Sequence, residues 1–462
     1  MLLDDLKAIV GAAGWTTDAT TLEPHLSERR GRVHGQALIM LMPASTAEVS
    51  AVVRACAAAG AAIVPQGGNT GLCGGAIPDS SGEQVLLSLA RMNHIRTVDA
   101  ADFSMTVDAG CILADIQRAA RDVGLVFPLS LGAEGSCQIG GNLATNAGGI
   151  NVIRYGTARQ QVLGLEVVLA DGRIWDGLRS LRKDTAGYDM KQVFVGSEGT
   201  LGIITAATLR LMPQFPATQT ALVALSSSDA AVDLLGRMRT ASGDQLQAFE
   251  LMSETAMKLA LHHDPKCRPP FGATYPWTVL LESSSAANDM SFVDSLAAAA
   301  DECGALDALC AKNSDEANRL WRIRHAIPDA QIAAGASLKH DIAVPVSRIG
   351  AFLQRAEAVV VRMLPGATPV VFGHVADGNL HYNVSQPAGA DAVAFRRHGE
   401  AATEAIYDLV QELGGTFSAE HGVGVLKKAY LQRYRSATEI ELMRALKHAL
   451  DPDNRLNPGK VI

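Results

Sequence analysis

The chain has 462 residues with 19% charged side chains and a formal net charge of −8. That length holds two or more domains with large cores, and the acidic balance, with no long basic block, excludes nucleic acid as the main partner. Seven cysteines without a Cys-x-x-Cys pair fit free thiols in a reducing compartment and argue against a disulfide framework or an iron-sulfur cluster.

Taken in order, Leu2 to Gly14 has apolar residues at helical spacing, and Asp4 and Asp5 stand where a signal peptide would carry bases. No run approaches the roughly 18 apolar residues of a membrane helix, so a cytoplasmic protein without a transmembrane segment is expected. After a polar stretch, Thr16 to His34, Ala37 to Met42 reads as a strand. Ser45-Thr46-Ala47-Glu48 is a capping box opening a helix that runs to Gly60. Next come five glycines in the ten residues from Gly67 to Ala76. Such a loop lets backbone approach a ligand closely and converges N–H groups on an anion such as a pyrophosphate. It is neither a Walker loop nor the Gly-x-Gly-x-x-Gly fingerprint, and a plain glycine-rich turn is the competing reading.

Val85 to Leu89 and Ser104 to Val107 read as strands and Ile112 to Val123 as a helix. A second stretch of small residues, Pro128 to Gly149, suits an extended path along a planar ring or a ribityl chain. Val162 to Leu169 is a strand turning at Asp171-Gly172, and Phe194 to Thr205 puts a third glycine-rich turn before another strand. From Phe215 the texture changes. Strands are expected at Ala221–Leu225, Thr278–Glu282 and Lys339–Val344, and helices at Asp229–Thr240, Asp289–Cys303, Ile349–Met363 and Phe395–Leu413. With a hairpin over Val370–Val384, this alternation points to an antiparallel sheet with helices on one face, an α+β arrangement.

That hairpin carries the chemistry. Gly373-His374-Val375-Ala376-Asp377-Gly378-Asn379-Leu380-His381-Tyr382-Asn383 reads as strand, tight Asp-Gly-Asn turn and strand, which brings His374 and His381 together. Ser418-Ala419-Glu420-His421-Gly422 follows. Two neutral imidazoles and the Glu420 carboxylate form a three-ligand set that suits zinc with a position left open, and manganese or iron also fit two His and one carboxylate. His421, beside Glu420, is free to serve as a base. A single His is more often a surface or core residue. Here two His, an Asn and a Glu-His pair occur in apolar or glycine-rich stretches, where unpartnered polar groups are costly to bury.

The three loops in this order over residues 37 to 214 resemble the FAD-binding domain of the vanillyl-alcohol oxidase and p-cresol methylhydroxylase superfamily. Gly-His-x-x-Asp-Gly-Asn-Leu-His-x-Asn, Ser-Ala-Glu-His-Gly-Val-Gly and the tail from Leu450 to Lys460 look like its D-2-hydroxy-acid dehydrogenase branch. Within it the likeness is greatest to D-2-hydroxyglutarate dehydrogenases, with D-lactate dehydrogenase and the flavin subunit of glycolate oxidase as relatives. The resemblance implies an α+β fold with a two-part FAD-binding domain of p-cresol methylhydroxylase type at 1–214. A cap with an antiparallel sheet follows at 215–425, and a segment at 426–462 returns to the FAD domain.

By position, the resemblance assigns the pyrophosphate to Pro65, Gly67, Gly68, Asn69, Thr70, Gly71 and Gly74. The central cofactor falls to Ser130, Gly132, Ser136, Gly140, Gly141, Asn142, Asn146, Gly148 and Gly149. Glu198, Gly199, Ile203 and Ile204 take the adenine side, and Asn457 contributes from the tail. A His often stands at the Asn69 position in relatives with covalent flavin, so dissociable FAD is expected. Arg324 in Trp321-Arg322-Ile323-Arg324, Lys339 and Asn383 would hold the substrate, a planar guanidinium being suited to a carboxylate. His374, His381 and Glu420 would bind a divalent metal, zinc by ligand type, and His421 would be the catalytic base.

The implied reaction is oxidation of a D-2-hydroxy acid to the 2-oxo acid by hydride transfer to flavin, with D-2-hydroxyglutarate the first choice. D-Lactate or another monocarboxylate, or a role as flavin subunit of a glycolate-oxidase-like complex, are the alternatives. An external acceptor such as electron-transferring flavoprotein or a quinone would reoxidise the flavin, and a homodimer is the default expectation. One departure stands out: Pro328 occupies a position where the hydroxyglutarate enzymes carry a hydroxyl residue that contacts substrate, at a cost of ~1 kcal/mol or more for the lost hydrogen bond.

Overall fold

The computed structural model describes residues 2–285 and 291–462, which fall into two compact units. One comprises residues 2–148, 156–214 and 420–462, the other residues 149–155 and 215–419. Among the described residues no helix is long and apolar enough to cross a membrane.

The first unit contains two sheets. In the smaller, strands run in the order Trp15–Thr16, Ile39–Leu41, Val85–Ser88, Ile63–Gln66, and the last three are parallel. Parallel strands need a crossover, and the Thr46–Ala59 helix carries the chain from Ile39–Leu41 to Ile63–Gln66, on the far side of Val85–Ser88. The expected cap is present: the Ser45 hydroxyl accepts from the Glu48 N–H at 3.2 Å, while the Glu48 carboxylate accepts from the Ala44 N–H at 2.7 Å. Gly60 closes the helix in the left-handed region at φ 71°, where a side chain would be strained.

The larger sheet is antiparallel, ordered Ile95–Asp99, Ser104–Asp108, Ile203–Arg210, Val162–Val168, Ile174–Gly177. One apolar core containing Leu41, Val53, Leu87, Val107, Ile139, Val167 and Leu209 joins both sheets, giving the two-part arrangement expected for an FAD-binding domain. The polar stretch after Thr16 is not all loop. It holds a helix at Ala19–Leu26 capped by Asp18, with Pro24 inside it, and the proline masks the helical signal in the sequence. The returning tail is tied in by a bridge from Leu456 to Ile63 and by the Lys447 ammonium, which donates to the Thr200 and Leu456 carbonyls at 2.8 Å each.

The second unit is built on a seven-stranded antiparallel sheet. Its order is Asp307–Cys310, Ala217–Leu225, Trp277–Ser285, Leu246–Ser253, Thr368–His374, Asn379–Ser385, Ser337–Ala343. Helices cover both faces rather than the single face expected. On one, the helices Glu254–His263 and Ser314–Ala333 pack through Met257, Ala260, Leu320, Ile323 and Ile327 onto Leu222, Met252, Leu280, Val370 and Phe372. On the other, Phe352 of the Ile349–Met363 helix meets Tyr382 edge to face at 5.4 Å, and His340 bonds the Thr403 hydroxyl of the Ala392–Glu412 helix at 3.0 Å. The central strand Leu246–Ser253 is buried at nearly every position, so both of its sides are shielded from water by helices.

The hairpin forms as expected, with a looser turn. A 3₁₀ turn, Val375–Asp377, links Thr368–His374 to Asn379–Ser385, and Gly378 takes φ 82°. A Cβ there would lie 2.1 Å from the Val344 carbonyl oxygen, so the Gly of Asp-Gly-Asn is set by close approach as well as by handedness. The helix expected from Asp289 spans Ser291–Glu302; Asp289 and Met290 lie outside the described residues. All seven cysteines are free thiols.

Candidate functional sites in the two units

In the first unit, the glycine-rich loops meet around a groove with about 900 Å³ of free space, open solvent included. Pro65, Gly67, Gly68, Asn69, Thr70 and Gly71 line it from the first loop, Gly140, Gly141 and Asn142 from the second, and Glu198, Gly199, Ile203 and Ile204 from the third. Gly74, Ser130, Gly132, Ser136, Asn146, Gly148 and Asn457 are not among the lining residues, and Gly149 belongs to the second unit. Several of these have other work. The Asn146 amide oxygen accepts from the Thr157 hydroxyl at 2.8 Å and the Arg159 N–H at 3.0 Å. Asn457 donates to the Gly75 and Glu198 carbonyls at 2.8 and 2.7 Å. A Cβ on Gly148 would come 3.1 Å from the Glu420 carboxylate.

Sequence reasoning missed Gln66, Gln138 and Thr145 in the lining, because an amide or hydroxyl between glycines carries no motif. Asn69 shows a division of labour. It sits at φ 51°, and its side chain turns away to donate to the Pro24 and Ser27 carbonyls at 3.0 and 3.1 Å. It therefore pins the first loop to the Ala19–Leu26 helix and offers the groove its backbone.

The groove fits a large polar cofactor. Among the described residues, the buried Gln138 Oε1 and Asn142 Oδ1 have no hydrogen-bond partner, and buried polar atoms are normally satisfied. Gly68 and Gly140 cannot carry a side chain, since their Cβ atoms would lie 2.1 Å from the Ser136 carbonyl oxygen and 2.7 Å from the Ala109 Cβ. Gly71 and Gly141 differ: among the described residues, nothing beyond the adjoining backbone would come within 4 Å of a Cβ there. A Gly141→Ala variant is thus expected to gain ~1 kcal/mol in the ligand-free protein, because Gly141 lies in the Ile139–Ala144 helix. It should lose about 1–3 kcal/mol of FAD affinity through overpacking of the groove. Calorimetric titration of the apoprotein with FAD checks this, and unchanged affinity would move Gly141 out of the cofactor's path.

His421 lines the same groove. The backbone just after it is clamped: the N–H groups of Val423 and Gly424 donate to the two Glu198 carboxylate oxygens at 2.7 and 2.9 Å. Burial pushes the Glu198 carboxyl up, opposed by those two donors. Glu198 adopts φ 52°, a position that non-glycine residues occupy only where surrounding structure holds them.

In the second unit, one face of the sheet gathers the polar residues. Directly opposed residues in antiparallel strands share a face, and the register pairs Lys339 with Asn383, Asp341 with His381, Phe372 with His381 and Glu250 with His374. The His374 and His381 rings lie 5.8 Å apart, near perpendicular, and His381 Nδ1 lies 3.9 Å from Asp341. Asn383 donates to the buried Gln331 Oε1 at 2.7 Å. Arg324, on the helix covering this face, donates from Nε to Glu250 at 2.6 Å and sits over the Phe372 ring, 4.8 Å from its centroid. The other Glu250 oxygen accepts from His374 Nδ1. Burial opposes charge on Glu250, but His374 and Arg324 outweigh it and hold its carboxyl down at about 2. The residue before Glu420 is fixed to the same sheet, with the Ala419 N–H donating to the Asp341 carbonyl at 3.3 Å.

Pro328 lies within the Ser314–Ala333 helix and is exposed. Lacking an N–H, it leaves the Arg324 carbonyl without its intrahelical donor. Glu250 goes unread in the sequence. Its one signal is a lone charge inside the apolar run Phe249-Glu250-Leu251-Met252, where burial demands a partner.

Residues 215–461 match the model of the FAD linked oxidases, C-terminal domain, and residues 37–177 match the FAD binding domain. The chain belongs to the FAD-linked oxidase family. This FAD-dependent oxidoreductase is similar to the D-2-hydroxyglutarate dehydrogenase of Xanthomonas citri pv. viticola, with 39% identity over 99% of this chain and 96% of that protein. It is also similar to the mitochondrial D-2-hydroxyglutarate dehydrogenase of Bos taurus, with 38% identity over 99% of this chain and 83% of that one. Among solved structures, p-cresol methylhydroxylase with substrate bound covers 100% of this chain and 96% of its own at TM-score 0.78 and 15% identity. Alkyldihydroxyacetonephosphate synthase covers 99% and 84% at TM-score 0.75 and 19% identity. At such identities these two share the fold.

Proposed function

We propose that this FAD-linked oxidase oxidises D-2-hydroxyglutarate to the 2-oxo acid, with His421 as the base, and that it also requires a divalent metal. The observation that carries the base assignment is that His421 lines the groove made by the glycine-rich loops, with the backbone at Val423 and Gly424 just after it fixed by Glu198. The substrate class is supported by the near full-length relatives bearing that name.

His374, His381 and Glu420 would hold the metal. Two imidazoles and a carboxylate suit zinc, and the His374 Nδ1 bond to Glu250 leaves Nε2 as that ring's ligand atom. Glu420 follows Ala419, whose N–H is bonded to the strand that carries Asp341. Bound FAD supplies a two-electron acceptor for the Cα hydride, and a bound metal supplies Lewis acidity toward the substrate's hydroxyl oxygen.

The chain's own residues do the rest. Arg324 keeps its Nη groups for a substrate carboxylate, since only its Nε is hydrogen-bonded among the described residues. Lys339, opposite Asn383 in the register, adds a second positive charge on the same face, and Asn383 orients the hydroxyl-bearing carbon. His421 takes the hydroxyl proton as the carbonyl forms, so the proton and the hydride leave to different acceptors. Asn69, whose side chain is engaged with the Ala19–Leu26 helix, offers no nucleophile to the flavin, in keeping with dissociable FAD. Electron-transferring flavoprotein or a quinone would reoxidise it.

The test is anaerobic bleaching of the flavin absorbance. D-2-Hydroxyglutarate is expected to bleach it fully and the L-enantiomer not at all, and chelation should abolish bleaching until zinc is restored. Bleaching by D-lactate alone would transfer the reading to a monocarboxylate, with Pro328 marking the changed pocket.

A further inference from the structure

We infer that Glu250 is a positioning residue that serves two parts of the site with one carboxylate. It fixes the His374 ring through one oxygen and the Arg324 guanidinium through the other. The inference rests on the proposed roles of His374 and Arg324 and goes beyond them by naming the group that sets their geometry together.

Glu250 is fully buried, and Arg324 and His374 are nearly so. A buried carboxylate without partners costs several kcal/mol, so its presence in a strand otherwise packed with Phe249, Leu251 and Met252 needs a function for the charge. Both oxygens are used: one accepts from Arg324 Nε at 2.6 Å, the other from His374 Nδ1. The strand pairing fixes this arrangement from below, because Glu250 stands opposite His374 across the ladder.

Each bond has a directional consequence. A proton held on Nδ1 by a carboxylate makes Nε2 the lone-pair nitrogen of His374, sets the plane of the ring and raises its basicity as a ligand. An Arg bonded through Nε and stacked on Phe372 is restrained both about χ4 and against the ring, so its Nη fork points one way. The single carboxylate therefore ties the orientation of a metal ligand to that of an anion anchor. Substituting it disturbs both at once, although it would touch neither metal nor substrate.

The experiment compares wild type, Glu250→Gln and Glu250→Asp as full-length FAD-loaded proteins. Zinc affinity is measured by competition with a chromophoric chelator, FAD per chain by absorbance, and KM and kcat with D-2-hydroxyglutarate. Glu250→Gln is expected to keep one FAD per chain, bind zinc about 10–100-fold more weakly and raise KM about tenfold or more. FAD retention separates this from loss of the first unit's fold. Either wild-type zinc affinity or wild-type KM in Glu250→Gln overturns the inference, since one carboxylate then does not serve both parts. If that variant does not fold, Glu250→Asp decides. Its shorter arm keeps the charge but cannot reach both partners, so at least one of zinc affinity and KM must shift by about threefold or more, and wild-type values for both overturn the inference. A wild-type protein that binds no zinc in the same titration fails the metal reading itself and this inference with it.

Discussion

Replacing His421 with Ala will leave FAD bound at one per chain and slow its anaerobic reduction by D-2-hydroxyglutarate by about 10²–10⁴-fold, the range for losing a general base. The two effects separate because the ring and the backbone at this point are held by different means. Val423 and Gly424 are clamped by Glu198 and the Val461 N–H bonds the Gly424 carbonyl at 3.0 Å, so trimming the imidazole leaves the groove wall standing. Stopped-flow absorbance at the flavin band measures the rate. If the variant reduces as fast as wild type, His421 is a wall residue and the base lies elsewhere.

An Arg324→Met variant is expected to lose at least about 10²-fold in kcat/KM, mainly through KM. Truncating one partner of a buried hydrogen-bonded charge pair costs ~2–5 kcal/mol, and here the loss is double. The substrate carboxylate loses its fork, and Glu250, fully buried, loses the partner at 2.6 Å. The same variant should unfold at lower temperature by scanning calorimetry. Arg324→Lys will not rescue KM, because an ammonium cannot donate to Glu250 and present a planar fork to the substrate together. A lysine variant with wild-type KM would show that charge alone suffices and that the guanidinium is not the anchor.

How much of this is legible in the sequence follows from the range of the interactions. The Ser45–Glu48 cap and Gly60 stop are local and can be read directly, since each partner lies within four residues. The glycine-rich loops are legible as clusters, and at Gly68 and Gly140 close approach of neighbouring protein atoms leaves no room for a side chain. The His374–His381 approach can be read because a hairpin converts sequence proximity into spatial proximity. Glu250 cannot, for its partners Arg324 and His374 lie 74 and 124 residues away, and no periodicity in one strand announces which distant strand will pair with it. The expectation of helices on a single face of the sheet fails for a related reason. Leu246–Ser253 is buried at nearly every position on both sides, and only the assembled sheet reveals that each side has its own helices. Asn69 illustrates a third limit: its place in the loop is evident, but the direction of its side chain depends on a helix hidden by Pro24.

The ladder that sets Glu250 against His374 also has a kinetic meaning. A contact spanning 124 residues is costly in loop-closure entropy, and sheets dominated by such pairings form slowly. During synthesis the Leu246–Ser253 strand emerges long before Thr368–His374, and until then Glu250 has no imidazole to meet. The Glu250–His374 contact is thus acquired after Arg324 is already available to the same carboxylate, and the nascent unit must carry an unpaired strand edge until Thr368–His374 has been made.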